Sequence, residues 1–118
     1  FKQVNDRYGH IFGDQVIVSV AQCLKNNVRG SDLIVRFGGD EFLIVLHQMN
    51  MEQTLRSAEK IRDAVSKLDL SVPDSDLKIS VSVSIGVAVG ADNWLELLAQ
   101  ADRSLFKAKA RGKNVVEG

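Results

Sequence analysis

Apolar positions along this chain follow two periods, and each change of period marks a new element. From Asp14 onward, Ile17, Val20, Ala21, Leu24 and Val28 recur at three- and four-residue steps, which gives one apolar helical face. Asp14 is placed to cap this helix, and Asn26, Asn27 and Gly30 suit its end. Residues 33–37 and 42–46 read as two strands. Gly38 and Gly39 between them signal a hairpin, because tight primed turns need positive φ. Met51, Leu55, Ala58, Ile61, Val65 and Leu68 mark a second long helix, and residues 71–76, with the only proline, read as a loop. Ile79, Val81, Val83, Ile85, Val87 and Val89 alternate with serine, glycine or alanine, the strongest strand pattern in the chain. Its second face carries only small side chains, which leaves room for close approach by another element or a ligand. Trp94, Leu97, Leu98, Ala101, Leu105 and Ala108 mark a third helix, ended by Gly112, and residues 114–116 suit a short closing strand. Helices interleaved with an antiparallel hairpin predict an α+β sandwich, helices packed on a sheet.

The 118 residues suit one domain, and 45% hydrophobic with 25% charged residues is an ordinary globular composition. Fifteen basic residues balance fifteen acidic ones, so there is no global field to hold a nucleic-acid duplex or an anionic membrane. Phosphate recognition must then be local. No apolar run approaches membrane-spanning length, and Phe1-Lys2-Gln3-Val4 lacks the apolar core of a signal peptide. Cytoplasmic residence without direct membrane contact is the expectation. The single cysteine, Cys23, excludes an internal disulfide and reads as a small residue at the core margin. Phe1 follows no cap or turn, so the chain reads as a piece of a longer protein.

Three clusters carry candidate chemistry. The sharpest is Arg36-Phe37-Gly38-Gly39-Asp40-Glu41-Phe42, with two adjacent carboxylates at a hairpin tip. Adjacent carboxylates repel unless a positive charge lies beside them, and hard divalent cations such as Mg²⁺ prefer such oxygen ligands together with phosphates. Glycine backbone can approach a ligand closely. The plainer account is a solvated turn. The second cluster is Asn5, Asp6, His10 and Asp14, around Gly9 and Gly13. An amide and a carboxylate can together read a purine edge, the carboxylate accepting from guanine's ring N–H and exocyclic amine. The plainer account makes Asn5 and Asp6 turn formers and Asp14 a cap. The third is Lys107, Lys109, Arg111 and Lys113 around Gly112, either cations for phosphates or charges that complement a helix C-terminus.

Four ordered motifs join these clusters. Phe1 to His10 with Gly13-Asp14, the run Gly38-Gly39-Asp40-Glu41-Phe42, Ser84-Ile85-Gly86-Val87-Ala88, and Ala101-Asp102 with Leu105-Phe106, Ala108-Lys109 and Gly112-Lys113-Asn114 together resemble the GGDEF family of diguanylate cyclases over nearly the whole chain. The resemblance implies a palm-type nucleotidyl cyclase fold with a ferredoxin-like core. It implies one GTP per domain, an antiparallel homodimer, and condensation of two GTP into cyclic di-GMP with release of pyrophosphate.

By the same resemblance, Asp40 and Glu41 would hold Mg²⁺ (or Mn²⁺), with Asp40 accepting the proton of the 3′-hydroxyl. Lys2 would stabilise charge on the phosphates. Asn5 and Asp14 would read guanine with His10 in the same set. Gly38 and Gly39 would contact ribose and phosphates, and Lys109 and Lys113 the outer phosphates. Lys113 stands where the family often has arginine, which keeps the charge and loses the bidentate fork. Arg29-Gly30-Ser31-Asp32 matches the family's Arg-x-x-Asp inhibitory site for the product, with Arg56 and Lys60 one helical turn apart to complete it; the plainer account of Arg29 and Asp32 is a solvated pair.

The family's first metal-binding aspartate lies on a strand that would precede Phe1, so the 118 residues alone are expected not to make cyclic di-GMP. Two other readings stay open: a non-catalytic GGDEF-type module that binds GTP or cyclic di-GMP, and a different nucleotidyl cyclase or polymerase palm. The intact signature and guanine-reading residues favour the enzyme over the first. Asn5 with Asp14, and Arg29 with Asp32, favour guanine and cyclic di-GMP over the second.

Overall fold

The computed structural model describes residues 2–30, 32–38, 41–46, 49–90 and 93–118, with Lys2 described by its backbone. The chain separates into two units, Phe1–His47 with Lys67–Val81, and Gln48–Ser66 with Ser82–Gly118.

In the first unit, helix α1 spans Lys2–Tyr8 and α2 spans His10–Asn26, with Gly9 at φ 89° between them. Asp14 is therefore the fifth residue of α2 and not its cap, and Asn5 and Asp6 are helical rather than turn formers. The apolar face starts a turn earlier than the spacing from Asp14 predicts. Phe12 and Val16 are buried together with Ile17, Val20, Cys23 and Leu24. Each aliphatic side chain so enclosed contributes about 1.5–3 kcal/mol. Tyr8 meets Phe12 edge-on, ring centroids 5.6 Å apart, and fastens the short α1 to α2. Burial pushes the Cys23 thiol above its ordinary range, so it remains a protonated core residue. Asn27, placed at the helix end by its sequence context, donates from Nδ2 to the Cys23 carbonyl at 2.8 Å.

Strands β1 (Leu33–Arg36) and β2 (Phe42–Val45) form the expected antiparallel hairpin, registered from Leu33 opposite Val45 to Arg36 opposite Phe42. The connection is a five-residue loop, not a tight two-residue turn. The N–H groups of Phe37 and Gly38 both donate to the Glu41 carbonyl, at 2.8 and 3.3 Å, and Gly38 is not in the left-handed region. Strands β3 (Leu70–Ser71) and β4 (Lys78–Ile79) form a second antiparallel pair around the proline loop.

In the second unit, α3 spans Met51–Ser66 and α4 spans Trp94–Ala110. An asparagine caps the start of each. Asn50 Oδ1 accepts from the Gln53 N–H at 2.8 Å while Gln53 Oε1 accepts from the Asn50 N–H at 3.0 Å, a reciprocal capping box. Asn93 Oδ1 accepts from the Glu96 N–H at 2.8 Å. Ala58, Ile61, Val65, Val87 and Ala108 are buried here. Strand β5 (Ile85–Gly86) pairs in parallel with β6 (Val116–Glu117). The closing strand thus begins two residues later than predicted, because Asn114 is held in a left-handed turn at φ 52°.

The long alternating pattern of residues 79–89 is not one ladder. Lys78 and Ile79 pair with β3, Ile85 and Gly86 pair with β6, and residues 80–84 carry no ladder assignment. Alternation records which side chains face inward, while a strand also needs a neighbour for its N–H and C=O groups. The expectation of close approach on its small-residue face is met at Gly86. A Cβ there would overlap the backbone of Ala101 and Leu105 in α4. No helix among the described residues is long and apolar enough to cross a membrane.

Candidate active site

The N-terminal cluster is built where α1 crosses α2. Gly13 is buried, and a Cβ at that position would overlap Asn5 Oδ1. The bare glycine backbone is what lets the Asn5 amide reach across the crossing. Asn5 Oδ1 is buried and accepts no hydrogen bond. Such an acceptor costs about 1–3 kcal/mol, so its retention calls for a reason. Lys2 opens α1 one turn before Asn5. His10 opens α2, and Asp14 follows one turn later on the same helical face. Both are exposed, and Asp14 borders a shallow open depression with Ile11, Gln15, Val18 and Ser19. The crossing therefore gathers Asn5, Gly13 and the adjoining Asp14.

At the hairpin, Glu41 is exposed at the end of the loop, and its Cβ and Oε2 lie 3.7 Å from where a Cβ of Gly38 would be. The carboxylate thus folds over bare Gly38 backbone, whose carbonyl accepts from Arg36 Nε at 3.3 Å. Gly39 and Asp40 lie outside the described residues. Among those described, no three His, Cys, Asp or Glu side chains converge on one point. Glu41 remains an exposed carboxylate, the hard oxygen donor that a hydrated divalent cation takes.

The basic cluster belongs to the end of α4. Lys109 is exposed in its last turn, where a cation complements the helix dipole. Lys113 is exposed in the following turn at φ 66°, its N–H donating to the Ala108 carbonyl at 3.2 Å.

Arg29 and Asp32 form a local pair between α2 and β1. The Asp32 carboxylate, 1% exposed, accepts from the Arg29 backbone N–H at 2.9 Å and from Arg29 Nε at 3.5 Å. It is a built turn rather than a loosely solvated pair. Arg56 and Lys60 are exposed one turn apart on α3, and Arg56 lies 3.9 Å from Glu52 in a solvent-exposed pair of little energetic weight. Arg29 and Asp32 belong to the first unit and Arg56 and Lys60 to the second; likewise the hairpin belongs to the first and Lys109 and Lys113 to the second.

Sequence reasoning missed one network. Arg62 Nε donates to both Glu59 oxygens at 3.0 Å, Nη2 donates to Glu59 Oε1 at 2.6 Å, and Nη1 donates to Asn114 Oδ1 at 2.9 Å. The Arg62–Glu59 spacing of three on a helix is a readable signal. The Arg62–Asn114 contact spans 52 residues and leaves none.

The family described as diguanylate cyclase, GGDEF domain, matches residues 1–115. Diguanylate cyclase DosC from Escherichia coli K12 is 44% identical over 119 residues, covering 99% of this chain and 26% of the relative. Response regulator PleD from Caulobacter vibrioides is 40% identical over 121 residues, covering 100% of this chain and 27% of the relative. The chain thus spans about a quarter of the length of these relatives. Among solved structures, the GGDEF domain of PA1120 (YfiN or TpbB) from Pseudomonas aeruginosa superposes with a TM-score of 0.91 at 33% identity, over 98% of this chain and 73% of that one. The GGDEF domain of DgcB from Caulobacter crescentus, in complex with c-di-GMP, gives 0.91 at 28% identity, over 98% and 70%. With its signature, its element order and its α+β cyclase-palm fold, this chain belongs to the diguanylate cyclase GGDEF-domain family.

Proposed function

We propose that this chain is the catalytic module of a diguanylate cyclase that condenses two GTP molecules into cyclic di-GMP and two pyrophosphates, working as a homodimer. The observation that carries the reading is the Asn5–Gly13 crossing. Its amide oxygen is enclosed against Gly13 and accepts no hydrogen bond. In this reading the Asn5 amide supplies N–H donors for guanine's acceptors, while the exposed Asp14 carboxylate one turn beyond His10 accepts from guanine's ring N–H and exocyclic amine. A donor and a charged acceptor together favour guanine over adenine.

In this reading Mg²⁺ or Mn²⁺ is held by Asp40 and Glu41 and supplies charge stabilisation at the phosphates. The chain's own groups do the rest. Asp40 accepts the 3′-hydroxyl proton. Gly38 and Gly39 admit ribose and phosphate close to the backbone. Lys2 offsets charge that grows on the transferring phosphate, and Lys109 and Lys113 bind the outer phosphates. Arg29 and Asp32, with Arg56 and Lys60, bind the product as a feedback site. The c-di-GMP held in the DgcB structure supports that class of ligand for the family's domain.

Conversion of GTP by the full-length protein, followed by chromatography, tests the reading. Asp40→Ala should abolish cyclic di-GMP formation while GTP is still bound, because the guanine-reading residues are intact. Undiminished turnover in Asp40→Ala would defeat it.

A further inference from the structure

Lys113 and Asn114 occupy consecutive left-handed positions, φ 66° and 52°, after Gly112 at φ 107°. Residues with a side chain take that conformation uncommonly, asparagine more readily than lysine, and strain of this kind clusters at ligand clamps. Contacts from three directions hold this turn. The Lys113 N–H donates to the Ala108 carbonyl at 3.2 Å, the Asn114 N–H donates to Ser84 Oγ at 3.2 Å, and Asn114 Oδ1 accepts from Arg62 Nη1 at 2.9 Å. Arg62 is itself clamped by Glu59, and its side chain is only 18% exposed. The hydrogen bond from Arg62 holds the Glu59 carboxyl below its usual range, so the pair stays charged. An exposed arginine–glutamate pair contributes little stability by itself. What it does here is fix the guanidinium plane, so that one edge meets the carboxylate and the remaining Nη1 meets the amide. A lysine has no such fork.

We propose that Arg62 is a positioning residue: through Asn114 it holds the strained turn that presents Lys113 to the outer phosphates of GTP. The proposal rests on the reading of Lys113 as a phosphate-binding cation. Arg62 touches neither substrate nor metal. Its effect belongs to binding of the triphosphate, and therefore to KM rather than kcat.

Five variants of the full-length protein are measured beside wild type: Arg62→Ala, Arg62→Lys, Asn114→Gly, Lys113→Ala and the Arg62→Ala/Asn114→Gly double variant. Steady-state KM and kcat for GTP are read together with equilibrium binding of GMP, which lacks the outer phosphates. Asn114→Gly accepts the left-handed backbone and removes only the amide anchor. Arg62→Ala and Asn114→Gly should each raise KM for GTP about tenfold, the scale of a lost hydrogen bond to a charged group, with little change in kcat and unchanged GMP binding. Arg62→Lys should not restore KM, and the Arg62→Ala/Asn114→Gly double variant should be no worse than either single one. An unchanged KM in Arg62→Ala beside a raised KM in Lys113→Ala overturns the proposal and leaves the phosphate reading standing. GMP binding that falls in step with GTP binding in Asn114→Gly also overturns it. A wild-type KM in Lys113→Ala removes the phosphate reading, and the proposal with it.

Discussion

At Gly13 an added methyl group would meet the far end of the Asn5 side chain, which can swing aside. Alanine is also the better residue within a helix, by about 1 kcal/mol. Gly13→Ala should therefore leave stability within about 1 kcal/mol of wild type and still damage the site, because the amide is pushed from the crossing. We expect the preference for GTP over ATP, compared as kcat/KM, to fall about tenfold or more, with a urea midpoint that does not fall by more than that margin. An undiminished preference would mean that Asn5 does not read the base from this position. Asp14→Asn tests the other half of the pair and should lower the same ratio. Asp14 lies inside α2, so no cap is lost with it. At this scale the sequence was partly legible: Asn5, His10 and Asp14 could be chosen by spacing and resemblance. The role of Gly13 as the space-maker could not, since it depends on how two helices cross.

At the scale of elements the contrast is Gly86. A Cβ there would overlap the main chain of Leu105 and Ala101, and backbone within a helix cannot step aside. Gly86→Ala should separate β5 from α4 and cost about 1–3 kcal/mol or more, read as a lowered denaturation midpoint. An unchanged midpoint would show that this contact yields easily. The small-residue face of residues 79–89 announced such an approach, so this much was readable. The extent of the strand was not. Its apolar alternation is strict from Ile79 to Val89, yet ladder bonds exist only where β3 and β6 supply partners. The three long helices were legible from their periodicity. The seven-residue α1 was not, because two turns are too short to declare a period and its stability comes from Tyr8 packing on Phe12. The capping residues Asn50 and Asn93 were readable in principle, as asparagine three residues before Gln53 and Glu96.

At the scale of the whole molecule, the chain has one set of residues proposed to read guanine, Asn5 and Asp14, and one signature hairpin. The proposed product contains two guanines and two phosphodiester bonds related by a two-fold axis. One chain holding one GTP cannot form both bonds, whereas an isologous dimer provides two identical half-sites facing each other. The chain carries no net charge, so like-charge repulsion does not oppose that pairing. The prediction uses mixed dimers. Full-length wild type is equilibrated with a ninefold excess of the Asp40→Ala protein, and subunit exchange is checked with a tag on one of them. Random pairing leaves about a tenth of wild-type chains in wild-type dimers. Cyclic di-GMP formation per wild-type chain should then fall to about that fraction. The mixed dimers retain one competent half-site, which forms one bond, so a linear dinucleotide should accumulate as the cyclic product declines. Enzyme that works as a single chain would keep its full activity in the mixture and release no linear product, and that result would overturn the dimeric mechanism.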